Sequence, residues 1–86
     1  MQIEKFVEEM YIRVKYDDFT AEYSVSENHT EDMPPYGIRI TCGEGDLQEL
    51  ENIFFTAEEA FKRCEWLAEN EVFTQGFKDV MADIMV

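Results

Sequence analysis

The stretch MYIRVKYDDFTAEYSV, residues 10 to 25, leaves the backbone few options. Apolar and polar side chains alternate on both sides of the Asp17-Asp18 pair, the period of a half-buried strand. With Asp17 and Asp18 as a two-residue turn, Tyr16 faces Phe19, Val14 faces Ala21, Ile12 faces Tyr23 and Met10 faces Val25. Every pair on that face is apolar. On the other face Arg13 falls opposite Glu22, an opposite-charge pair worth a few tenths of a kcal/mol. The alternation therefore predicts a hairpin of fixed register. Asp-Asp is a poorer turn pair than Asp-Gly, and a longer turn is the alternative.

The segment SENHTEDMPP, residues 26 to 35, reads as a loop, because its two prolines cannot join a central strand. YGIRITCG then places Tyr36, Ile38, Ile40 and Cys42 on one face, with Arg39 and Thr41 on the other. GEGD is a turn. LQELENIFF is a further extended segment in which Leu50 is out of phase with Ile53 and Phe55, and a bulge near Glu51-Asn52 resolves the conflict. Thr56 followed by Glu59 is a capping box, in which each side chain satisfies an exposed backbone N–H of a helix start. Ala60, Phe61, Cys64, Leu67 and Ala68 form the buried stripe of that helix, and Asn70 ends it. A second helix, capped by Thr74, carries Phe77, Val80, Met81 and Ile84 inward.

Strands followed by helices predict an α+β fold with an antiparallel sheet of three to four strands and two C-terminal helices packed on one face. The whole chain, 1–86, is one domain, its sheet portion 1–55 and its helical portion 56–86. In that layout Phe55 shares the phase of Ile53 and belongs to the core. Phe54 then projects to the open face beside Val7 and Tyr11 of the first strand. Trp66 lies off its helix stripe. Sheets rarely leave an aromatic-bearing face in water, so Val7, Tyr11, Phe54 and Trp66 are expected to contact a partner or a second copy of the chain.

Charge narrows the function. Twenty acids against seven bases give −13, which excludes the basic footprint of a nucleic-acid binder. Residues 1 to 16 balance at three acids and three bases, whereas residues 17 to 51 carry ten acids and one base, Arg39, a net of −9. The outward acids Asp17, Asp18, Glu22, Glu27, Glu31, Asp32, Glu44, Asp46 and Glu49 are the expected partner-binding residues. Carboxylates at this density can stand in for phosphates in the groove of a basic nucleic-acid-binding protein, with encounter speeded by attraction and weakened by salt.

Motifs of catalysis are scarce. His29 is the only histidine and sits in a polar loop, while Cys42 falls on an apolar strand phase, so a Cys42–His29 nucleophile pair is disfavoured. Cys42 and Cys64 are too few for a disulfide framework and lack metal-ligand spacing. GEGD has too few oxygen ligands for calcium. The one-turn pairs Asp79/Asp83 and Glu65/Glu69 read as a solvated helix face. No phosphate loop, nucleophile elbow, HExxH or CxxC occurs. No enzyme activity, cofactor or metal is expected. No apolar run approaches the roughly 20 residues of a membrane span, and MQIEKFVEEM lacks a signal-peptide layout, so no membrane contact and a cytoplasmic location are expected.

The stretch YGIRITCGEGDLQELENIFFTAEEAFKRCEWLAENEVFTQGFKDVMADIM resembles a family of small uncharacterised domains from clostridial-type bacteria. The matching positions are Tyr36-Gly37-Ile38, Thr56, Asn70, Val72 and Asp79-Val80 through Asp83. The family places Thr-Pro directly after the connector valine, where this chain has Phe73-Thr74-Gln75. The resemblance implies the strand-then-helix fold and a bacterial or phage-borne cytoplasmic origin, and it brings no activity or site residues. Two functions follow from the residues. One is an acidic, non-enzymatic interaction domain, most sharply a phage- or mobile-element-type inhibitor of a basic nucleic-acid-binding protein. The alternative is a bacterial structural or regulatory module that self-associates, as a homodimer, through the open sheet face.

Overall fold

A computed structural model of the chain describes residues 2 to 85, with side chains described as far as Ala82. The side chains of Asp83 and Ile84, named above, lie outside the described residues. Strands β1 (Gln2–Phe6), β2 (Tyr11–Lys15), β3 (Thr20–Glu27), β4 (Tyr36–Cys42) and β5 (Leu47–Phe54) form one antiparallel sheet in chain order. Helices α1 (Ala57–Glu69) and α2 (Thr74–Met85) follow. The fold is α+β, with five strands where three to four were expected.

The extra strand comes from the N-terminus. Val7 and Tyr11 are expected on one first strand, but the chain turns at Val7–Met10 and β1 pairs back on β2, Ile3 opposite Val14 and Lys5 opposite Ile12. The Met10 N–H donates to the Val7 carbonyl at 3.2 Å, and Met10 itself has φ 55°. A methionine in that region is uncommon, and VEEM contains none of the Gly, Asn, Asp or Pro residues that announce a turn. The β2–β3 hairpin has the expected register, with Ile12 opposite Tyr23, Arg13 opposite Glu22 and Val14 opposite Ala21. Its turn closes where the Tyr16 N–H donates to the Phe19 carbonyl at 2.9 Å.

A bulge lies in β5 at the expected place. Tyr36 pairs with Phe54 and Ile38 with Leu50, so Glu51, Asn52 and Ile53 all oppose the single residue Gly37. Two extra residues, unlike one, restore the strand's phase. Leu50 and Phe54 therefore share the helix-side face, and Phe55 falls beyond the strand, 74% exposed. This reverses the expected roles of the two phenylalanines: Phe54 packs against the core and Phe55 does not. Asn52 takes the bulge's left-handed conformation at φ 57°. Its amide donates to the carbonyls of Asn28 at 2.8 Å and Pro34 at 2.9 Å, pinning the long β3–β4 loop.

One core joins sheet and helices. Ile12, Val14, Ala21, Tyr23, Ile38 and Ile40 are buried with Ala60, Phe61, Cys64, Leu67 and Ala68 of α1 and Phe77 and Met81 of α2. The stripe expected for α1 is thus buried at all five positions, and Val80 is partly buried. The Thr56 hydroxyl accepts from the Glu59 N–H at 3.2 Å as expected, but the Glu59 carboxylate accepts from that hydroxyl at 3.1 Å and not from a backbone N–H, so half of the capping box forms. Asn70 closes α1, after which Glu71 at φ 52° lets the Val72 N–H reach back to the Leu67 carbonyl at 3.0 Å. The buried Tyr23 hydroxyl donates to the Val72 carbonyl at 2.9 Å, tying β3 to the connector between the helices. Thr74 begins α2, yet its hydroxyl donates to Asp46 at 2.6 Å rather than serving as the expected cap.

A Cβ added at Gly37 would collide with the Leu50 carbonyl, whereas at Gly76 it would meet nothing within 4 Å. Gly37→Ala is expected to lower unfolding free energy by about 3 kcal/mol or more through overpacking against rigid backbone. Gly76→Ala, in the first turn of α2, is expected to raise it by up to about 1 kcal/mol. Urea unfolding of both variants against the parent checks the pair.

Candidate functional site

The strand pairings fix where each nominated acid lies. Lys15 pairs with Gln2 and Thr20, and Ala21 pairs with Cys42, so the β2–β3 and β4–β5 turns share one end of the sheet. Asp17, Asp18, Glu44 and Asp46 sit at that end. Glu27, Glu31 and Asp32 sit at the other, with Glu8 and Glu9 of the β1–β2 turn. Glu22 and Glu49 lie on the open face between them. The nine acids form two end groups and a thin link, not one continuous patch.

The open face itself is charge-balanced. Across the strands run two rows, Phe6–Tyr11–Ser24–Arg39–Glu49 and Glu4–Arg13–Glu22–Thr41–Leu47. With Lys15 they hold three bases and three acids. Lys15 pairs with Glu4 at 3.4 Å and Arg39 with Glu49 at 2.7 Å. Arg13 instead stacks over the rings of Phe6 and Tyr11, at 5.7 and 5.5 Å from their centroids, and its Nε donates to the Tyr11 hydroxyl at 3.3 Å. These residues, with Glu9 and Ser24, line a shallow groove of about 390 Å³. Of the four expected contact residues, only Tyr11 lies on this face. Val7 is in a turn, 63% exposed, and Phe54 faces the helix side.

Phe54 instead meets Trp66. Together with Glu59, Lys62 and Arg63 they line a second groove of about 360 Å³ beside α1. The Arg63 guanidinium lies 5.5 Å from the centroid of the Trp66 ring. The spacing 59, 62, 63, 66 marks one helical flank legible in the sequence, to which the structure adds Glu59, Lys62 and Arg63 beside the expected Phe54 and Trp66. Phe6 carried no such signal, because its placement requires the β1–β2 turn. On the opposite flank of α1, Glu65 and Glu69 are held by Lys5 at 3.1 and 3.8 Å.

The cysteines sit in surroundings that disfavour thiolate. Burial, with Glu65 nearby, pushes the Cys64 thiol up to about 12. Burial also raises Cys42, partly offset by the Thr74 backbone N–H. His29 hydrogen-bonds Glu27 at one end of the sheet, whereas Cys42 closes β4 at the other, so they do not meet. Burial and the neighbouring Tyr16 raise Tyr23 above the ordinary tyrosine range. Burial, then Glu71 and Cys42, raise Tyr16, which stacks on Phe19 at 4.9 Å and meets Phe73 edge-on at 5.4 Å. Among the described residues, no group of three or more His, Cys, Asp or Glu is placed to hold a metal. No helix of the described residues is long and apolar enough to cross a membrane. Comparison with protein-family models, curated proteins and solved structures finds no match.

The raised Cys64 gives a pH dependence of known sign. Between the ordinary thiol value of 9.0 and about 12 the unfolded chain releases this proton and the folded chain keeps it. Its contribution is therefore complete below pH 9 and is lost as pH climbs toward 12, at up to about 1.4 kcal/mol per pH unit. Urea unfolding between pH 8 and 11 should show a steeper alkaline decline for the parent than for Cys64→Ala.

Proposed function

We propose that this chain is a non-enzymatic, acidic protein-interaction domain that docks on a basic protein surface. In its sharpest form the carboxylates occupy a surface that otherwise binds nucleic acid, as in an inhibitor of the phage or mobile-element type. One observation carries the reading. Every ion pair with Lys or Arg among the described residues uses a carboxylate from a strand or from α1, namely Glu4, Glu49, Glu65 and Glu69, and Glu27 of β3 hydrogen-bonds His29. None of them uses Asp17, Asp18, Glu31, Asp32 or Glu44, all of which are exposed in turns and loops. Lys5, Lys15 and Arg39 are each held by a strand or α1 carboxylate, and the loop carboxylates are left to an outside cation.

Such groups act in two ways. Their summed field speeds encounter with a basic partner, and each contact made with Lys or Arg displaces salt ions from the pair. The two acidic ends bracket a neutral sheet face, so a partner gripping both ends would lie across that face. Asp46 and Glu49 contribute less to this surface, because Thr74 holds the first and Arg39 the second.

A second reading, self-association through the open face, is favoured by the stacked corner of Phe6, Tyr11 and Arg13. The two readings depend on different residues. Immobilised protein should capture a basic nucleic-acid-handling protein from a bacterial lysate, release it as salt rises, and lose it to added duplex DNA or RNA. Asp17→Lys with Asp18→Lys and Glu44→Lys should weaken that capture by about tenfold or more, while Tyr11→Ser leaves it intact. Capture that survives the triple reversal, or a concentration-dependent dimer abolished by Tyr11→Ser, would overturn the first reading in favour of the second.

A further inference from the structure

We infer that the flank of α1 bearing Arg63 and Trp66, with Phe54, Phe55 and Lys62, is a docking site for an acidic partner segment anchored by an apolar side chain. This site lies on a different part of the molecule from the acidic turns and does not depend on their role. Four observations meet there. Trp66, in the groove lining, is 39% exposed, and Phe55, next in the chain to the groove-lining Phe54, is 74% exposed. Phe54, Glu59, Lys62, Arg63 and Trp66 line one continuous groove. Arg63 stacks on Trp66, which holds its guanidinium against the helix and fixes the direction of its donors. Neither Lys62 nor Arg63 has a carboxylate within ion-pair distance among the described residues, and the one acid in the groove, Glu59, accepts from the Thr56 hydroxyl at 3.1 Å.

The composition selects the occupant. Aromatic residues and Arg concentrate the energy of protein interfaces, so the patch has the make-up of a contact centre. Two adjacent unpaired cations call for carboxylates. The exposed phenyl and indole rings call for a leucine, phenylalanine or similar anchor between those carboxylates. A basic segment would face Lys62 and Arg63 with like charge. Nucleic acid would be offered only two cations at contact, too few to track a phosphate backbone. A short acidic-apolar peptide fits the groove and meets both demands.

Salt dependence separates this site from the acidic turns. For a basic partner every electrostatic term is attractive and salt weakens it. For an acidic segment the contact pairs attract while the rest of the molecule repels, and salt screens both. The affinity of the acidic segment should therefore change little with ionic strength.

Trp66 is the chain's one tryptophan, so its fluorescence reports this groove alone. The probe is an unlabelled dodecapeptide in which Asp and Glu alternate with Leu and Phe. It should produce a saturable change in the Trp66 spectrum, whereas the same peptide with Lys in place of the acids should not. Lys62→Glu with Arg63→Glu, and separately Phe55→Ser, should each weaken binding by about tenfold, with circular dichroism unchanged. Phe55→Ser alters an exposed side chain and keeps the test valid if the double reversal disturbs α1. An unmoved Trp66 spectrum, an equal response to the lysine peptide, or full affinity in both variants would overturn the proposal. A concentration-dependent dimer lost in Arg63→Glu would also overturn it, assigning the patch to a second copy of the chain.

Discussion

The path of β5 over Gly37 controls more of this molecule than any other single contact. Three residues of β5 span the space opposite one residue of β4, and the Leu50 carbonyl comes so close that position 37 has no room for a side chain. The crossing has three consequences. It turns Asn52 outward in a left-handed conformation, where its amide gathers two carbonyls of the β3–β4 loop. It sets the phase that puts Phe54 under α1 and Phe55 in water. It also delivers the chain to Thr56, whose hydroxyl caps the start of α1. Loop, groove and first helix all descend from one close approach, since an extended backbone cannot gain two residues without bending.

At the other end of α1 a hydroxyl does comparable work. Tyr23 crosses the core to the Val72 carbonyl, in a connector already shaped by Glu71 in a left-handed conformation. A buried carbonyl without a donor costs about 1–3 kcal/mol, so the bond fixes the connector's position as well as adding stability. Phe73, next in sequence, then packs edge-on against Tyr16 and Phe19 of the β2–β3 turn. The turn carrying Asp17 and Asp18 is thereby backed by aromatic packing from the helical half of the chain. Its carboxylates stand on a braced platform, which spares a partner part of the entropy cost of ordering them.

What the sequence made legible follows the reach of periodicity. The Ile12–Tyr23 register and the Ala60-to-Ala68 stripe were readable because each rests on a repeated pattern with the period of one element. The Val7–Met10 turn was not, because no residue there favours a turn, and Met10 at positive φ has both its N–H and its carbonyl bonded, to the Val7 carbonyl at 3.2 Å and the Val25 N–H at 3.1 Å. The bulge at Glu51-Asn52 was readable as a conflict of phase, but its size was not. One extra residue sends Phe55 inward and two send Phe54 inward, and the deciding fact, a backbone crossing at Gly37, is a contact between strands. The site suffered accordingly. Tyr11, Trp66 and the Arg63 flank are legible in their own periodicity, whereas Phe6 and Phe55 require neighbours that only the fold supplies.

Net charge is a poor guide to what approaches such a surface. The molecule measures 42 × 28 × 22 Å, several times the Debye length of about 8 Å at physiological salt. An incoming side chain therefore senses the nearest loop or helix flank more than the sum over the chain. Near Asp17, Asp18 and Glu44 that local field is negative and unopposed. Over the open face it is close to neutral, because Lys15 and Arg39 answer Glu4 and Glu49. At Arg63 and Lys62, two cations without an ion-pair partner among the described residues sit against aromatic surface, with one acid, Glu59, in the same groove. Exposed pairs contribute only about 0–1 kcal/mol each, but they act inside the Debye length, where local composition outweighs a distant and screened excess. The fold has sorted its charges by element, and a −13 chain can on that account present one face to a basic partner and another to an acidic one.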